Sequence, residues 1–88
     1  MLYIRPFDLE QAWKEVWDGR HWALAKVFDT PLLSFGIDGG RIGKLAIWPT
    51  TAEKTLTRAL YNFDQGLDFD RLDDGGRKFY EEILKAFA

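Results

Sequence analysis

The chain contains no cysteine, and its 88 residues include one histidine and one serine. The missing thiols remove disulfides, thiolate zinc sites and cysteine nucleophiles together, so the fold must hold without covalent staples, and a reducing cytoplasm suits it best. His21 and Ser34 would have to converge with one of many aspartates to make a Ser-His-Asp arrangement, and nothing in their spacing favours that. We therefore expect no enzyme and no cofactor. The alternative of a small metal-dependent hydrolase requires His21 and two carboxylates in one pocket. No apolar window approaches membrane-spanning length. The start, MLYIRPFDLE, reaches an arginine, a proline and two acids within ten residues, unlike a signal peptide, so a membrane is not an expected partner.

A dominant charge is also missing. Twelve basic and fourteen acidic side chains leave a formal charge of −2, which gives no general attraction to nucleic acid or anionic lipid. Any such binding would need a local patch. Basic residues gather in the middle of the chain (Arg20, Lys26, Arg41, Lys44, Lys54, Arg58), and acids crowd residues 64–74.

Aromatic residues are plentiful, at 16%, and include Trp13, Trp17, Trp22 and Trp48. Large rings suit a single small domain, here residues 1–88, which buries only about 60 to 65% of the surface its unfolded chain exposes. The stretch Ser34 to Trp48, SFGIDGGRIGKLAIW, organises the rest. Asp38-Gly39-Gly40 tolerates positive φ, as tight turns require. Ile42, Leu45, Ala46, Ile47 and Trp48 then put apolar groups on both faces of an extended chain, so residues 41–48 read as a central strand.

Elsewhere, HWALAKVF (21–28) reads as a strand closed by Asp29-Thr30-Pro31. Residues 30–36 are a loop or an edge strand whose Leu32, Leu33 and Phe35 tuck under the sheet or face a partner. Residues 8–19 fit two readings. Asp8 with Gln11 resembles a capping box, and Leu9, Ala12, Trp13, Val16 and Trp17 follow at helical spacing; Asp18-Gly19 is equally a hairpin turn. Leu56 to Phe63 alternates as a strand, with a helix over 52–61 as competitor. Residues 64–74 read as an acidic turn leading to a C-terminal helix capped by Asp73 or Asp74, with Gly75 and Gly76 weakening its first turn back to Arg77. That helix carries the apolar stripe Phe79, Ile83, Phe87.

Two ligand motifs fail on inspection. A phosphate loop over Gly36–Lys44 would have Asp38 in place of its first glycine and Leu45 in place of its hydroxyl. A calcium loop begun at Asp68 meets Leu72, Asp73 and Phe79 where an oxygen ligand, glycine and glutamate belong. Helix capping and a solvated turn account for the acids.

The pieces Lys26-Val27-Phe28-Asp29, Phe35-Gly36-Ile37-x-x-Gly40-Arg41-Ile42-x-Lys44-Leu45 and Tyr61-Asn62-Phe63-Asp64-Gln65-Gly66-Leu67-Asp68 together resemble a family of short uncharacterised proteins from Gram-positive bacteria and their phages, over roughly residues 16–87. Ser34 through Leu45 matches that family's central motif except at Gly43, where it has a second serine. Its later motif carries Arg and Trp where this chain has Gln65 and Leu67. The resemblance implies a small sheet followed by a C-terminal helix, favours the hairpin over residues 13–25, and implies no activity.

The expectation is an α+β fold: a small antiparallel sheet of three to four strands packed by the C-terminal helix, with an N-terminal segment that is helix or hairpin. The functional expectation is a non-enzymatic protein-interaction module, with a homodimer as one form of it. Its contacts would be Trp22, Trp48 and the Leu32, Leu33, Phe35 segment, with Arg41 and Lys44 orienting the partner at the rim. The alternative is a binder of single-stranded nucleic acid, using a basic, aromatic face built from Trp22, Lys26, Arg41, Lys44, Trp48, Arg58 and Tyr61.

Overall fold

The structure, a computed structural model, describes residues 2–7, 12–50 and 58–88. Its centre is β4, Ile42–Trp48, where apolar side chains on both faces call for cover on both. The six strands form one antiparallel sheet in sequence order: β1 (Tyr3–Pro6), β2 (Trp13–Trp17), β3 (Trp22–Val27), β4, β5 (Tyr61–Asp64) and β6 (Leu67–Asp70). Helix α1, Asp74–Ala86, follows.

The expected three to four strands are thus corrected to six, within the same α+β class. The two extra strands are the edges, and each is four residues long with a sequence that hides it. In β1, Pro6 breaks the strand signal; in β6, Asp68 and Asp70 alternate with Leu67 and Phe69 and read as an acidic turn. Edge strands take proline and charge because one side of their ladder needs no partner.

Of the two readings for residues 8–19, the hairpin is the one formed. Asp18-Gly19 turns β2 into β3, with Gly19 at φ 98° and the pairs Trp17↔Trp22 and Trp13↔Lys26 on either end of the ladder. The Asp18 carboxylate fixes the turn by accepting the N–H groups of Arg20 (2.8 Å) and His21 (2.6 Å). Asp8, Leu9 and Gln11 of the rival helix lie outside the described residues, as do Ala52, Lys54 and Leu56.

Helix α1 starts at Asp74, not Arg77. Asp73 caps it by accepting the Gly76 N–H at 2.7 Å, and Gly76 is buried so close to Leu72 that a Cβ there would lie 3.0 Å from Leu72 Cδ2. The helix lays Phe79, Ile83 and Phe87 across one face of the sheet, against Val16, Ala23, Ala25, Val27, Leu45, Ile47 and Tyr61. Strand alternation sends all four tryptophans to the face opposite α1.

Candidate interaction surface

Among the described residues, the face opposite α1 divides into a closed centre and an open side. At the centre Trp22 and Trp48 lie opposite each other in the β3–β4 ladder, ring centroids 5.0 Å apart, packed with Ala59, Leu24, Ala46 and Phe69. They are only 3% and 6% exposed. Arg71 lays its guanidinium over the Phe69 ring at 4.3 Å. The two tryptophans expected at a contact surface therefore form a second small core.

The exposed rings lie toward β1. Tyr3 and Trp17 pair across the β1–β2 ladder with centroids 5.4 Å apart, and both are exposed. With Ile4, Arg5, Glu15 and the edge of Trp22 they line a cleft of about 360 Å³. Arg5 reaches across to Glu15 at 3.2 Å. Ile4 and Phe7 add exposed apolar surface along the same strand.

Among the described residues, the outer backbone of β1 is also without a strand partner. Phe7 donates its N–H to the Trp13 carbonyl at 2.9 Å, which places the odd-numbered residues of β1 in hydrogen-bonded pairs with β2. Leu2, Ile4 and Pro6 consequently direct their main-chain groups outward, and Pro6 has no N–H to direct. The opposite edge is different in kind. In β6, Arg71 donates to Leu60, so Asp68 and Asp70 face outward. Carboxylates line that edge, Asp68 accepting from the Asn62 amide and Asp70 paired with Arg77.

The loop between β3 and β4 splits the remaining expected contacts. Leu32 is half-buried and packs onto Gly43, where a Cβ would lie 2.9 Å from Leu32 Cδ1, so the space of a side chain is filled by Leu32. Leu33 is 85% exposed, and Phe35 is exposed beside it. Arg41 points inward to structural work: its Nε donates to the Phe28 carbonyl at 2.8 Å and its Nη1 to that of Ala88 at 3.4 Å. Lys44 sits opposite Lys26 in the ladder and 3.6 Å from Asp64, and Lys26 lies over the Phe28 ring. These basic residues are thus each engaged within the fold.

Titratable groups mark the joints of the fold. His21 is buried, stacks on Phe79 at 5.5 Å and places Nδ1 3.1 Å from the second oxygen of Asp18. Burial alone would raise the Asp18 carboxyl; the Arg20 and His21 N–H groups and the His21 ring outweigh it and hold the group below the ordinary carboxylate value. Asp70, likewise, is raised by burial but lowered further by its 2.5 Å contact with Arg77, which ties β6 to α1. Burial and Tyr80 together push the Tyr61 phenol well up.

Ser34 and His21 stand at opposite ends of β3, whose six residues span about 20 Å, so they do not converge. Among the described residues no three His, Asp or Glu side chains gather to hold a metal. In the same residues no helix is long and apolar enough to cross a membrane.

The sequence reading overlooked Tyr3, Ile4 and Phe7 as surface residues; the hairpin reading does put Trp17 on one face with Trp13, Trp22 and Leu24, but not as an exposed contact. A signal was present: LYIRPF alternates around a proline, which marks an edge strand. No curated protein matches the chain, and no solved structure does. A family model does match, over residues 16–88, so that β1 and the start of β2 precede the matched region. On that match the chain belongs to the family described as Domain of unknown function (DUF7678).

Proposed function

We propose that this chain is a non-enzymatic, self-associating protein-interaction module whose contact surface is the β1 side of the sheet. The observation that carries the reading is the contrast between the two edges. At β1 an open ladder is flanked by exposed Tyr3, Ile4, Phe7 and Trp17, whereas Asp68 and Asp70 guard β6. Two β6 edges would bring the Asp68 and Asp70 carboxylates of both copies together, whereas β1 carries a single charge, Arg5, which is paired with Glu15 in its own copy. Exposed Tyr3 and Trp17 on one face and Ile4 on the other favour association, and the outward N–H and C=O groups, without a strand partner among the described residues, favour a strand as the partner.

The buried state of His21, shared between Asp18 and Phe79, supports a structural use for the sole histidine. Lys26 and Lys44 are cross-strand neighbours, but Lys26 lies over Phe28, Lys44 is 3.6 Å from Asp64 and Arg41 bonds the Phe28 carbonyl. These engagements weigh against the nucleic-acid alternative, because phosphate binding needs free cations. Sedimentation equilibrium at low and high salt, with and without a labelled mixed-sequence oligonucleotide, tests the reading. A dimer that persists or tightens with salt and ignores the oligonucleotide is the expected result. A monomer that binds the oligonucleotide at low salt and releases it as salt rises would overturn it.

A further inference from the structure

Resting on that reading, we infer that the partner strand is β1 of a second copy, paired antiparallel with a two-fold axis passing through Ile4. The outward residues of β1 are Leu2, Ile4 and Pro6, so only registers that oppose members of this set can form hydrogen bonds. Three such registers engage more than one residue from each copy. They centre on Tyr3, Ile4 or Arg5.

The Arg5-centred register sets the two Arg5 side chains directly opposite each other, and like charges in that position repel. The Tyr3-centred register pairs Leu2 with Ile4 and also forms four bonds, but it leaves Arg5 and Pro6 beyond the contact and offers the Arg5 guanidinium no ring. Centring on Ile4 engages the whole strand. Each Ile4 N–H donates to the Ile4 carbonyl of the other copy, and each Leu2 N–H donates to the other copy's Pro6 carbonyl, giving four bonds in all. The donor that Pro6 lacks would serve only the Leu2 carbonyl at the end of the strand, where water replaces it.

Charge and ring placement agree with this register. On the face opposite α1, Arg5 of one copy stands opposite Tyr3 of the other, whose ring already packs on Trp17. A guanidinium over an aromatic face is attractive, and the Arg5 side chain, 74% exposed, can reach the ring by sharing or exchanging its 3.2 Å contact with Glu15. On the other face the two exposed Ile4 side chains meet at the axis. The axis is perpendicular to the sheet, so the six strands of each copy join in one continuous sheet, both helices lie on the same side, and the two Tyr3–Trp17 clefts become neighbours.

The absence of native cysteine makes the register directly readable. Ile4→Cys places the sole thiol at the axis, where the Cα atoms of a hydrogen-bonded pair lie about 5.5 Å apart, within disulfide reach. Tyr3→Cys puts its thiol opposite Arg5 of the other copy, with the two Cα atoms beyond about 8 Å. With an added thiol oxidant, and with native tryptophan fluorescence confirming the fold, Ile4→Cys is expected to give covalent dimer at least tenfold faster than Tyr3→Cys. Ile4→Pro, which removes the axial donors and leaves the bonds to β2 intact, is expected to raise the dimer dissociation constant about 10- to 100-fold. Faster crosslinking by Tyr3→Cys, or a sedimenting dimer that neither thiol locks, would overturn the register and leave self-association standing. A monomer at all concentrations would overturn both.

Discussion

Replacing Asp18 with alanine is expected to destabilise the fold by about 2 to 4 kcal/mol at neutral pH, although the residue lies in a turn. One carboxylate oxygen accepts two main-chain N–H groups, from Arg20 at 2.8 Å and His21 at 2.6 Å, and the other sits 3.1 Å from the His21 ring. The Arg20 N–H is near solvent and finds water when the acceptor is removed. The His21 residue is 3% exposed, so its groups lose a partner with little water to replace it, and that term sets most of the magnitude. The pH dependence follows from the lowered Asp18 value. A carboxyl held below its unfolded value contributes stability that is fully present above about pH 4 and is lost as pH falls through the folded value. Urea unfolding of wild type and Asp18→Ala at pH 7 and near pH 3 measures both parts. The gap between them is expected to narrow in acid. A gap under about 0.5 kcal/mol at pH 7, or one that does not narrow, would refute the account of this turn.

Other consequences follow from the core and its joints. Phe79→Ala removes a 1% exposed ring that contacts His21 and the sheet, and is expected to cost about 3 to 5 kcal/mol in urea unfolding. Gly36→Ala would set a Cβ 2.2 Å from the Gly40 carbonyl and 2.9 Å from Leu32, so the β3–β4 loop must rearrange, at about 2 kcal/mol or more by thermal denaturation. Asp70→Asn breaks an exposed contact with Arg77, and solvent screening keeps its expected cost below about 1 kcal/mol in the same melt.

The parts legible in the sequence are those where one signal dominated. β3 and β4 combine dense apolar residues with proline or glycine stops, and they formed within a residue or so of the expected bounds. The Phe79, Ile83, Phe87 stripe packs as its spacing implies. Where signals competed, local pattern misled. Trp13, Val16 and Trp17 fit a helix by spacing, but in the strand Val16 enters the core while both tryptophans face away, a division set by pairing with β3. The acids of β6 masked an alternation of Leu67 and Phe69. The candidate contact residues divided for a similar reason: hydrophobicity marks Trp22 and Trp48 as strongly as Trp17, and only their positions across β3 and β4 bury them together. Arg41 and Lys44 carry charge in the sequence, yet carbonyl and carboxylate partners distant in the chain engage both.

Amide exchange at β1 tests the central claim most directly. Leu2 and Ile4 point their N–H groups away from β2, so in a monomer they have no strand partner and exchange at rates near those of an open chain, whereas Tyr3 and Arg5 are held by β2. Association through β1 predicts that Ile4 and Leu2 become protected as protein concentration rises, in step with the sedimenting dimer, while Tyr3 changes little. Fast exchange of Ile4 in a sample that sediments as a dimer would contradict the β1 interface.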